Sequence, residues 1–156
     1  MDIKLSDILA ADAVLIDVDA TSKTDVLNRV VDALTSNALV RDGAELRRVI
    51  LEREKLMSTG IGNGVALPHG KTNTVDGSIA AVATLRTPID FDSLDDKPVS
   101  IIIMLVGTEN NVGVHLRLLS RVSRMVSSEA FRASLLGART VTEVQELFAS
   151  YEEERS

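Results

Sequence analysis

Six consecutive apolar residues, Ile101-Ile102-Ile103-Met104-Leu105-Val106, constrain the fold of this chain more than any other feature. The run is far short of the ~20 residues that a membrane-spanning helix needs. It has no polar residue at alternate positions and so no solvent side, which predicts a strand over residues 99–106 buried on both faces. Such a strand lies inside a sheet covered above and below, and the rest of the chain supplies the cover. Residues 24–39 carry apolar side chains at Val26-Leu27, Val30-Val31, Leu34 and Ala38, the stripe of an amphipathic helix. A second helix is predicted from Asp42, an N-cap with Glu45 three residues on, to about Met57. Three more are predicted at 112–127, 129–136 and 142–151, with Gly137 as a C-terminal stop. Shorter strands fit 14–18, 65–67 (halted by Pro68) and 78–85. Intermixed strands and helices make the class α/β: one domain over 1–156, a small mixed sheet flanked by helices. Its ordered core is expected at about 5–150, with the acidic tail Glu152-Glu153-Glu154-Arg155-Ser156 charged enough to fray.

Charge and composition remove several function classes. Lys and Arg number 17 against 23 Asp and Glu, a formal charge of −6, which disfavours a surface that tracks phosphates. Aromatic residues make up 3% and Trp is absent, so stacking platforms for bases are lacking and no nucleic-acid partner is expected. There is no cysteine, hence no disulfide, thiolate metal site or thiol catalysis. Two histidines, His69 and His115, leave little for zinc, so neither a metal nor a cofactor is expected. The N-terminus, Met1-Asp2-Ile3-Lys4, lacks the unbroken apolar stretch of a secretory signal. The expectation is a cytoplasmic protein with no direct membrane insertion.

The chemistry is concentrated in Arg53-Glu54-Lys55-Leu56-Met57-Ser58-Thr59-Gly60-Ile61-Gly62-Asn63-Gly64-Val65-Ala66-Leu67-Pro68-His69-Gly70-Lys71. The alternating Gly60, Gly62 and Gly64 permit positive φ and close backbone approach, but the spacing fits neither a dinucleotide-binding turn nor a P-loop. By themselves they read equally as a tight turn. His69 lies between Pro68, which fixes its own φ, and Gly70, which leaves the imidazole little cover. That is the setting of a nucleophile available near pH 7, or of a surface-loop histidine. His115 shares a helical face with Leu118, Leu119, Val122, Met125 and Val126, in the first turn. There it donates to an anion, or it is a satisfied capping residue. Arg53 falls on the stripe of Leu46, Val49, Ile50 and Met57, where a charge needs an anionic partner unless it snorkels or pairs with Glu52 or Glu54. Together the three suggest an anion site made of one nucleophile and two donors.

The stretch from Ser58 to Lys71 resembles the active-site signature of enzyme IIA domains of the fructose–mannitol type in the phosphoenolpyruvate-dependent sugar phosphotransferase system. The resemblance extends through Pro88-Ile89-Asp90-Phe91, Lys97-Pro98-Val99 and the start of a helix at His115-Leu116. It implies a sheet flanked by helices and a phosphohistidine relay: His69 is the phosphorylated residue, Arg53 and His115 its partners. Thr59, Gly60, Gly62, Asn63 and Gly64 would form the surface that meets substrate or partner. The donor would be a phosphohistidine on HPr or its nitrogen-branch counterpart, arriving at Nε2 while the other ring nitrogen binds a backbone carbonyl. The chain is most like the stand-alone nitrogen-regulatory branch, which binds regulatory targets according to phosphorylation. No IIB, IIC or HPr segment is fused within 156 residues. The other reading is a sugar-specific IIA that hands phosphate to a IIB protein. The neighbourhood of His69, with Ile61 and Val65, is expected to form the docking surface.

Overall fold

The computed structural model describes residues 3–155. Its centre is β6 (Val99–Gly107), hydrogen-bonded on both sides. On one side β6 runs antiparallel to β5 (Ile79–Ile89), which is parallel to the edge strand β1 (Leu9–Val18). The other side is shared by two short parallel strands, β3 (Val65–Ala66) and β4 (His69–Lys71), with β2 (Gly60–Gly62) antiparallel to β3. Pro68 separates the two short strands because it has no N–H to give the ladder, although its carbonyl still accepts from Leu105 N–H at 3.0 Å.

The apolar run in β6 alternates as a strand with two dry faces must. Ile102, Met104 and Val106 enter one core, with Val26, Leu27, Val30 and Leu34 of α2 (Lys23–Thr35) and Leu46 and Ile50 of α3 (Gly43–Leu56). Ile101, Ile103 and Leu105 enter the other, against α4 (Val112–Val126), α5 (Glu129–Gly137) and α6 (Val141–Arg155). Phe131 and Phe148 meet edge to face there, 5.3 Å between centroids, an arrangement that suits the ring quadrupoles. Serine and acidic caps start the helices: Ser22 accepts from Asp25 N–H, Asp42 from Glu45 N–H and Ser128 from Phe131 N–H.

Several boundaries differ from those read in the sequence. β1 begins five residues before the expected strand, and α2 ends at Thr35 because Asn37 and Val40 form turns beyond it. Gly137 closes α5 without left-handed backbone, so it is the last helical residue and not a glycine cap. The residues read as a charged tail are helical as far as Arg155, and Ser156 lies outside the described residues. Glu152 is 6% exposed because it caps a short N-terminal helix, α1 (Leu5–Ile8), accepting from Leu5 N–H at 2.7 Å and Ser6 N–H at 2.9 Å. At Glu152, burial and hydrogen bonds replace the solvation that a fraying end would have kept.

Candidate functional site

The glycine-rich segment folds as a hairpin. Gly62 pairs with Val65 across Asn63 and Gly64, whose φ values of 58° and 76° are both left-handed. That is the backbone of a two-residue turn matched to strand twist, and Asn-Gly is its preferred sequence. The hairpin sets two groups of residues apart. Val65 lies opposite Ile101 and His69 opposite Leu105, four residues further along β6, or roughly 13 Å. The turn with Gly62, Asn63 and Gly64 therefore sits at the far end of β3 from His69, beside Pro98 and Asp95. Thr59 lies nearer, its carbonyl accepting from Leu67 N–H at 2.9 Å. Both Thr59 N–H and Thr59 hydroxyl bind Glu54, and Gly60 is buried against Ser93. Of the five loop residues read as a substrate or partner surface, Thr59 and Gly60 thus lie buried nearer His69, and Gly62, Asn63 and Gly64 lie at the turn. Val65 is buried as well, while Ile61 is exposed.

His69 is the first residue of β4, and the alternation of that strand aims it. Gly70 faces α3, where a Cβ would come 2.6 Å from Val49 Cγ1, so α3 packs directly on the strand backbone. His69 and Lys71 consequently face the α4 side. Lys71 pairs with Gly107 at the end of β6, and a Cβ on Gly107 would lie 2.7 Å from His115 Nδ1. The missing side chain at Gly107 is the space that the His115 ring fills. The two rings stand with centroids 5.9 Å apart, inclined at 50°.

The two imidazoles differ in their hydrogen bonding. His69 is half-buried, and its Nδ1 is 2.8 Å from the Leu67 carbonyl. An acceptor there places the neutral-ring proton on Nδ1 and leaves the Nε2 lone pair free. His115 is 3% exposed, and neither ring nitrogen has a hydrogen-bond partner among the described residues. The ring lies in the first turn of α4, capped by Asn111, with Nδ1 packed over Gly107. Burial pushes the His115 pKa down to about 4, with His69 and then Lys71 adding to the effect. Burial also lowers His69, opposed by the Leu67 carbonyl; Arg53 lowers it further, Glu54 raises it and Lys71 lowers it. Both rings are neutral near pH 7.

Arg53 reaches this site from the last turn of α3, but not as the buried member of its helix. The inner ridge is Leu46, Ile50 and Glu54, spaced by four; Arg53 is half-buried at its margin, and Met57 beyond the helix end is exposed. Glu52 pairs with Arg48 and Glu54 with Lys23, so the carboxylates considered as partners for Arg53 are engaged elsewhere. Its guanidinium donates to the Met57 carbonyl at 3.0 Å, and its charge acts on His69. Sequence reasoning missed Lys71 and Glu54. The two-residue step from His69 signals Lys71, and the four-residue step from Ile50 signals Glu54. Among the described residues no group of three or more His, Asp or Glu converges as metal ligands would, and no helix is long and apolar enough to cross a membrane.

The candidate site is thus a mixed sheet between two helical layers with two histidines meeting at the C-terminal end of β6. The family described as "Phosphoenolpyruvate-dependent sugar phosphotransferase system, EIIA 2" matches residues 7–151, and the chain belongs to it. It is 34% identical over 138 residues to a nitrogen regulatory protein of Pseudomonas aeruginosa, covering 88% of this chain and 90% of that protein. It is 31% identical to the fructose-specific EIIABC component of Bacillus subtilis, covering 88% of this chain but only 22% of that longer relative. The crystal structure of nitrogen regulatory protein IIA-Ntr from Neisseria meningitidis superposes with a TM-score of 0.84 at 33% identity, over 92% of this chain and 97% of that one.

Proposed function

We propose that this protein carries a phosphoryl group on His69 Nε2, received from a phosphohistidine on HPr or a nitrogen-branch HPr-like carrier. The observation that carries the reading is the Nδ1 contact with the Leu67 carbonyl, beside a neutral, unpartnered His115. The Nε2 lone pair forms the new P–N bond, and the carrier nitrogen takes back the electron pair of the old one. The Nδ1 proton stays on His69, where the Leu67 carbonyl stabilises the positive charge developing on the ring. Such a transfer needs in-line placement and stabilisation of the equatorial oxygens. His115, with a ring N–H and no competing acceptor, is one donor; Arg53 supplies a planar cation, and Lys71 adds charge. Incubation with phosphoenolpyruvate, enzyme I and the carrier should load one phosphoryl group, labile to acid and stable to base. His69→Ala should take none, and labelling of that variant would sink the reading.

The protein acts, in this proposal, as a nitrogen-regulatory IIA protein whose partners distinguish its phosphorylated and unphosphorylated forms by binding. Near-full-length similarity to the nitrogen regulatory proteins supports this, as does exposed apolar surface at Leu56, Met57, Val112 and Leu116 beside the site residues. A phosphoryl group adds about −1.5 to −2 charge and changes the desolvation cost of docking there. The similarity to a fructose-specific component supports the second reading, passage of phosphate to a IIB protein during sugar uptake. A pull-down with wild type and His69→Asp that captures one target form-selectively supports regulation. Rapid transfer to a IIB protein, with loss of growth on one sugar after deletion, supports transport.

A further inference from the structure

Glu54 is 7% exposed, and such burial costs a carboxylate several kcal/mol unless its oxygens are paired. They are paired toward His69. Oε1 accepts from Thr59 N–H at 2.9 Å and lies 2.9 Å from Lys23 Nζ on α2. Oε2 accepts from the Thr59 hydroxyl at 2.6 Å. Thr59, gripped at two atoms, offers its carbonyl to Leu67 N–H at 2.9 Å, and the Leu67 carbonyl in turn holds His69 Nδ1 at 2.8 Å. The path Lys23–Glu54–Thr59–Leu67–His69 is continuous and joins α2, α3 and the short strands. Leu67 has no ladder partner of its own in β3 or β4, because Pro68 interrupts the edge between them. Thr59 on one side and the Pro68–Leu105 bond on the other therefore set where its carbonyl points.

We propose that Glu54 is a positioning residue for His69: through Thr59 it fixes the Leu67 carbonyl that keeps the imidazole proton on Nδ1 and Nε2 bare. This rests on the reading of His69 as phosphoryl acceptor. The carboxylate also opposes the loss of ring basicity caused by burial, Arg53 and Lys71. Lys23 completes the device by neutralising Glu54, held in turn by the face of Phe91 at 4.7 Å. A connected polar network of this kind orients a reactive side chain more narrowly than packing alone.

The test is the imidazole nitrogen spectrum of the full, unphosphorylated chain above pH 7.5, in wild type, Glu54→Ala and Glu54→Gln. Wild type should show a single His69 tautomer with Nδ1 protonated. Both variants should populate the Nε2–H tautomer of His69 while His115 signals stay in place. Their phosphoryl acceptance should fall roughly tenfold to a hundredfold, the scale of a slight misplacement. Glu54→Gln keeps the side-chain shape and decides the matter if Glu54→Ala does not fold. Folded variants with the wild-type tautomer overturn the proposal, whatever their rates. Failure of wild-type His69 to accept phosphate would overturn the reading beneath it, but the tautomer comparison would still decide what Glu54 does.

Discussion

His115 is held neutral by its surroundings, which ties its chemistry to stability. Its folded pKa of about 4 lies below the ordinary histidine value of 6.5. Above pH 6.5 neither state is protonated and stability is full. As pH falls from 6.5 toward 4, the unfolded chain takes a proton that the folded ring refuses, so stability drops, by up to about 3 kcal/mol. Below 4 the loss stops growing. Urea midpoints from pH 7.5 to 4.5 should fall more steeply in wild type than in His115→Asn, and equal slopes would deny His115 this role. The same residue, as a donor to developing charge, predicts a loss of about 2.7–4 kcal/mol of transition-state stabilisation in His115→Ala. Arg53→Lys should slow transfer because a point charge replaces a fork that grips two oxygens. Rapid-quench transfer from purified phospho-carrier measures both, and rates within about a factor of two of wild type would remove them from the site.

Among the elements, β4 sets the direction of His69, and its seat on α3 depends on Gly70. Gly70→Ala would push against Val49 and lift the strand from α3, with an expected loss of about 1–3 kcal/mol. Val49→Ala in the same chain should recover part of that stability, and no recovery would place the strain elsewhere. This scale also divides what the sequence could disclose from what it could not. The β6 run, the α2 and α4 stripes and the Asp42 cap were legible because each is written in local periodicity or in one capping side chain. That His69 and His115 share a site was suggested by their residue types and by the resemblance, but not how they meet, which depends on the Lys71–Gly107 register and the absent side chain at Gly107. The hairpin at Asn63-Gly64 was legible as a turn; its separation from His69 was not, because that needs the pairing of β3 with β6. On α3 the stripe drifted: Arg53 lies three residues and Glu54 four residues beyond Ile50, two helical steps that compete in the sequence, and packing against Lys23 and Thr59 decides for Glu54.

Across the whole molecule, the two ends of the chain are joined by Glu152 of α6, which caps α1, and by Arg121 of α4, which donates to the Ile3 carbonyl at 2.6 Å. Glu152→Ala should cost about 2–3 kcal/mol, the worth of its charge-assisted hydrogen bonds. The exposed Glu146→Ala should stay within about 0.5 kcal/mol, and equal midpoints in chemical denaturation would show that the clamp contributes nothing. The clamp secures the layer of α4, α5 and α6 over the sheet, and α4 carries His115 to its place above Gly107. In the proposed function that assembly presents His69 Nε2 to a phosphoryl group. The most direct measurement is phosphorus–nitrogen coupling in the imidazole-labelled protein after loading from phospho-carrier. One phosphorus coupled to Nε2 of His69 is the predicted result; phosphorus on Nδ1 of His69, or on His115, would contradict it.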